Sequence, residues 1–148
     1  MNLRSNTALG LALIDDDAFS AQLLTRMLLA AGAPQVTWLG GRDDGKAKLD
    51  DLLATPGATS GTMLIVDLKA SSLATQEFVA SIAAAAGDLD LPIVAMAQAD
   101  DRETRSALYR AGAAGVFVRH ADRDAYRLQA AEIVSFWARI RRPAAVGM

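Results

Sequence analysis

Short apolar runs alternate with segments of helical spacing along nearly the whole chain, and that alternation constrains the fold more than any other feature. Residues 9–14, 35–39, 62–66, 91–96 and 115–118 form runs mostly rich in Val, Ile and Leu and too short for helices. Residues 18–31, 43–53, 75–86, 101–111 and 122–140 carry apolar side chains at helical period. Five strands, each followed by a helix, imply parallel strands, right-handed crossovers and helices on both faces of one sheet, a doubly wound α/β fold. Local signals agree. Asp100 and Glu103 have the spacing of a capping box, Gly32 and Gly112 sit where helices would stop, and Pro34 and Pro92 lie at strand starts. Residues 54–61 (ATPGATSG) are turn-forming and are expected to be a mobile loop.

Composition bounds the possible functions. A chain of 148 residues suggests one domain, expected over 8–140 with tails at 1–7 and 141–148. With 52% hydrophobic and 22% charged residues and a net charge of -2, neither disorder nor wholesale nucleic-acid binding is indicated. The absence of cysteine excludes a disulfide scaffold, a thiol nucleophile and a thiolate metal site, and the single His120 cannot build a histidine-rich zinc site. No apolar run approaches a membrane span, and the first eleven residues lack a signal peptide's apolar region, so a cytoplasmic protein with no membrane partner is expected.

In an open parallel sheet, ligands bind beyond the carboxyl ends of the strands, and here the residues at those ends are acidic. The first strand runs into Asp15, Asp16 and Asp17, and the third into Asp67. Carboxylates converging on one rim raise each other's pKa unless a cation sits among them. Mg²⁺ suits such a set, because it takes carboxylate, carbonyl and water oxygens and leaves positions open for phosphate. Asp17, immediately before a helical segment, reads better as its N-cap than as a ligand.

These residues, LALIDDD with Asp15 and Asp16 and MLIVDLK with Asp67, resemble the receiver domain of the two-component response regulator family over residues 8–140. The spacing extends the likeness, since Ala97 and Arg119 fall at the family's Ser/Thr and Lys positions and AGAAGVFVRH is similar to its approach to strand five. The resemblance implies that Asp67 is a phosphoacceptor and that Asp15, Asp16, Asp67 and the backbone carbonyl of Lys69 hold Mg²⁺. It implies a switch rather than a metabolic enzyme, whose partners are a sensor histidine kinase or phosphotransfer protein and a downstream protein met through helix four, strand five and helix five.

The departures from the family pattern matter equally. Ala97 has no hydroxyl to offer a phosphoryl group, Arg119 replaces a compact ammonium with a planar fork, His120 replaces a proline, and Val116 occupies the switch-aromatic position. Gln98 is a poor candidate for the missing donor. Lys69 has two readings of equal weight, a solvated side chain or a built-in cation that reaches the acidic cluster and lowers Mg²⁺ affinity. The second reading allows an alternative function, a phosphorylation-independent adaptor.

A third reading comes from GGRDDGK, where Gly40, Gly45 and Lys46 fit the phosphate-binding pattern G-x-x-x-x-G-K between a strand and a helix. Against a small nucleotide-binding protein stand Ala47 in the place of Ser or Thr, and Asp43 and Asp44 inside the loop. Charge divides unevenly, with nine arginines and no lysine after residue 99. That excess suggests an acidic partner or a homodimer. Helix five carries a wide apolar arc, with Phe136 at its edge as a candidate partner contact. If RRPAAVGM ends the natural chain, no output domain follows and output by binding is expected.

Overall fold

A computed structural model describes residues 10–141. The apolar runs become β1 (Gly10–Asp15), β2 (Val36–Gly40), β3 (Thr62–Asp67), β4 (Ile93–Ala97) and β5 (Gly115–Val118). The helices are α1 (Ala18–Ala30), α2 (Arg42–Ala54), α3 (Ala74–Asp88), α4 (Arg102–Ala111) and α5 (Arg123–Ile140). All strand pairs are parallel and the order is β2-β1-β3-β4-β5. The tail expected at 1–7 and that beyond 141 lie outside the described residues, as does Leu9.

The period of two along the central strands sorts their side chains into two cores. Ala12, Ile14, Leu64, Val66, Ile93 and Ala95 pack with the residues of α2, α3 and α4. Leu11, Leu13, Met63, Ile65, Val94 and Met96 face α1 and α5. Both faces are covered, so β1, β3 and β4 are buried almost end to end, while the edge strand β2 leaves Thr37 and Trp38 exposed. Among the described residues no helix is long and apolar enough to cross a membrane.

One local expectation is corrected. The cap of α4 is Asp101, whose carboxylate accepts from Thr104 N at 2.7 Å; Asp100 instead pairs with Arg105 at 2.7 Å. Residues 55–62 form successive hydrogen-bonded turns, with Gly57 and Gly61 at positive φ, and Thr59 among them is buried. Phe136, half-buried, packs edge-to-face on Phe117 with ring centroids 6.0 Å apart, joining α5 to β5.

The phosphate-loop reading fails on geometry. The chain turns into α2 at Arg42, so Gly45 and Lys46 lie inside the helix rather than in a cradle, and Lys46 pairs with Asp50 at 2.9 Å. Gly45 is small for a packing reason, because a Cβ there would meet Ile14 Cδ1 at 2.5 Å and Gly40 O at 3.1 Å.

Candidate functional site

The order β2-β1-β3 places the topological switch between β1 and β3, and the register of that pair sets Asp15 opposite Asp67. Both strands run one residue further than the apolar pattern predicts, and each ends on its aspartate. Neither residue has any exposed surface. Two adjacent buried carboxylates need counter-charge, and two cations from distant parts of the chain supply it.

Arg119, just after β5, donates from Nε to Asp67 Oδ1 at 2.8 Å. Its backbone N–H is held by Ala97 O at 2.9 Å, which anchors the guanidinium's stem at the end of β4. Lys69 reaches back over the rim, with Nζ 2.7 Å from Asp15 Oδ1, 3.1 Å from Asp67 Oδ2 and 3.2 Å from Asp67 O. The contact to Oδ2 lies within ion-pair distance but outside hydrogen-bond geometry. Asp67 Oδ2 and Arg119 Nη2 are therefore buried with no hydrogen-bond partner among the described residues.

The loop after β3 is fixed from both sides. Asp16, exposed beyond β1, accepts from Lys69 N and Ala70 N at 3.0 Å each. The buried Thr75 hydroxyl brackets Leu68, accepting from its N–H at 2.9 Å and donating to its carbonyl at 3.2 Å. Asp17 caps α1 by accepting from Phe19 N at 3.1 Å, as its position before the helix predicts.

Asp15 has further partners that its local sequence does not announce. Ser20 Oγ, on the first turn of α1, donates to Asp15 Oδ2 at 2.9 Å, and Asp17 N donates to Oδ1 at 2.9 Å. Trp38 Nε1 donates to the Asp15 carbonyl at 2.9 Å and ties the edge strand to the site. Burial pushes the Asp15 carboxyl above its ordinary value, the Lys69 and Asp17 hydrogen bonds opposing it in part. The phenol of Tyr126, buried on α5, is pushed up to about 12 by burial and by the charges of Asp67 and Asp15. A hydrogen bond with Ser20 works in the other direction.

Of the sequence-predicted residues, Asp15, Asp67, Lys69 and Arg119 converge, and Ala97 is buried at the margin of a cavity of about 130 Å³ that Arg119, Thr75 and Gln98 also line. Val116 is buried, whereas His120 and Gln98 are exposed.

The oxygen donors have the hard chemistry a divalent cation requires. Their arrangement does not accommodate one. Asp16 is turned to the Lys69 and Ala70 amides, the ammonium of Lys69 stands between Asp15 and Asp67, and no three acidic or histidine side chains among the described residues are grouped to hold a metal.

No protein-family model matches the chain, and no curated protein matches it in sequence. Solved structures do. A response regulator receiver domain from Rhodospirillum rubrum aligns with a TM-score of 0.66 at 17% identity, over 86% of this chain and 92% of that one. The phosphorylated cyanobacterial phytochrome response regulator RcpA aligns at 0.66 and 18% identity, over 88% and 95%. A Mn(2+)-bound form of response regulator Rcp1 aligns at 0.61 and 16% identity, over 86% and 94%. At such identities the likeness is one of fold, and the chain has the flavodoxin-like fold of response regulator receiver domains.

Proposed function

We propose that this chain is an atypical receiver switch in two-component phosphorelay signalling, with Asp67 as phosphoacceptor. The observation that carries the reading is the Asp67 carboxylate at the topological switch, with Oδ1 held by Arg119 and Oδ2 free of hydrogen bonds. Oδ2 would attack the phosphorus of a phosphohistidine; the P–N bond breaks, its electron pair returns to the imidazole, and an acyl phosphate forms on Asp67. Lys69 and Arg119 would supply positive charge to the transferring phosphoryl, and attack by water would release phosphate and reset the switch.

The donor would be a sensor histidine kinase or phosphotransfer protein in the cytoplasm, and the output a protein contact through α4, β5 and α5. The domain would act as a switch rather than as a metabolic enzyme. The Mn(2+)-bound Rcp1 supports a divalent cation in sites of this fold. Mg²⁺ on Asp15, Asp16, Asp67 and the Lys69 carbonyl would need a different arrangement of Lys69 and Asp16. The buried methyl of Ala97 and the side chain of Val116 favour an output that does not use a hydroxyl and an aromatic switch.

Intact mass after incubation with acetyl phosphate tests the reading. A phosphoryl adduct on wild type, absent from Asp67→Asn, is expected. A folded wild type that gains no adduct, with or without Mg²⁺, overturns it.

A further inference from the structure

We infer that Lys69 is the resident cation of the acidic pocket, and that a divalent cation enters only by displacing its ammonium. The proposal deepens the receiver reading of the same pocket, but its test uses unphosphorylated protein and metal alone, so it can fail or stand whatever becomes of Asp67 phosphorylation.

Three oxygens from two strand ends surround Nζ: Asp15 Oδ1 at 2.7 Å, Asp67 Oδ2 at 3.1 Å and Asp67 O at 3.2 Å. A divalent cation held by these two buried carboxylates would need the same oxygens. The ammonium is delivered there by a fixed stem. Asp16 holds the amides of Lys69 and Ala70, and Thr75 brackets Leu68, so the backbone on each side of Lys69 is tied down. The Lys69 side chain nevertheless retains 22% of its surface, so a path outward to solvent exists.

Charge counting points the same way. Asp15 and Asp67 against Lys69 and Arg119 sum to zero, so adding a divalent ion with both cations in place would leave a buried pocket with a double positive charge. A dianionic phosphoryl on Asp67 cancels that residue's own charge and adds two. The pocket then stands one negative charge from neutral with no metal. Lys69 therefore does in part what a metal would do, and does it without leaving the chain.

The test is a calorimetric titration of wild type and Lys69→Ala with Mn²⁺ and with Mg²⁺. Losing a charge-assisted contact of this kind corresponds to about tenfold or more in affinity. Lys69→Ala is thus expected to bind either ion at least about tenfold more tightly than wild type. Equal affinity overturns the proposal. Because the variant leaves two buried carboxylates with one counter-charge, its folding is checked by circular dichroism.

A second measurement does not depend on the folding of Lys69→Ala. The ¹⁵Nζ resonance of Lys69 in wild type, assigned by its loss in Lys69→Arg, is followed through the titration with diamagnetic Mg²⁺. Movement of that resonance in step with metal binding supports displacement. Metal binding that leaves it unmoved shows that both cations share the pocket, and overturns the proposal even if Lys69→Ala does not fold.

Discussion

Arg119 Nε donates to Asp67 Oδ1 at 2.8 Å, joining residues 52 positions apart in the chain. The carboxylate has no exposed surface, so removing the guanidinium strands a buried charge whose other counter-ion, Lys69, is shared with Asp15. Arg119→Ala is expected to cost about 2 kcal/mol of folding stability, measured by urea unfolding. A loss below about 0.5 kcal/mol would mean that solvent screens the pair far more than its burial implies.

Asp15 gives a prediction of opposite sign. Burial raises its carboxyl above the ordinary 3.8, so the folded state holds that proton more tightly than the unfolded chain does. The resulting stability is present in acid and is lost as pH rises through the raised value. At neutral pH ionised Asp15 therefore weighs against folding. Asp15→Asn, which keeps acceptors for Lys69 and Asp17 N and a donor for Ser20, is expected to melt at a higher temperature than wild type at pH 7. The difference shrinks as pH falls toward 3.8. A lower melting temperature at pH 7 would show that pairing with Lys69 outweighs desolvation.

Tyr126 governs the alkaline limb. Its phenol is pushed up from 10.0 to about 12, chiefly by burial, so the unfolded chain releases that proton first. The stability is complete below pH 10 and is lost as pH rises toward 12. Tyr126→Phe removes the titrating group and is expected to flatten stability over that window, read from urea midpoints at successive pH values. An unchanged alkaline slope in the variant contradicts this assignment.

Two helical glycines should respond oppositely to alanine. At Gly45 the new methyl meets the buried Ile14 and the Gly40 carbonyl, and crowding outweighs the gain in helix propensity, for a net loss of about 1 kcal/mol. At Gly87, near the end of α3, a Cβ meets nothing within 4 Å, so Gly87→Ala is expected to stabilise by about 0.5 kcal/mol. Unfolding curves for the pair check both signs.

The fold is legible because short Val-, Ile- and Leu-rich runs and a period of 3.6 are properties of local sequence, and every strand and helix lies within two residues of its expected bounds. Asp15 and Asp67 were legible too, since strand ends at a switch point are where ligands gather. The contacts that complete the site were not. Lys69 meets Asp15 from 54 residues away, and Tyr126 reaches the acids from α5. Nothing in Lys69's neighbours distinguishes an inward ammonium from a solvated one, because the direction is set by Asp16 holding its backbone. The sequence does not separate Asp100 from Asp101 for a similar reason. Adjacent aspartates have the same chemistry, and only the backbone angles decide which one caps α4.

Gly112 closes α4 at φ 130°, and a Cβ there would meet the Ala83 methyl at 2.7 Å, so the C-terminal end of α4 lies directly against α3. At the other end stand Asp101, Arg102 and Glu103, all exposed, and Leu108 is the one buried residue of the helix. Were the helix to pivot on this packed end, it would act as a lever with its fulcrum at Gly112. A rotation that keeps the fulcrum moves the tip most, by about 2.5 Å for each 10° over the helix's roughly 15 Å length. The tip carries Arg102 and lies beside the Asp100–Arg105 pair, so a partner gripping those charges would feel the largest stroke the helix can make.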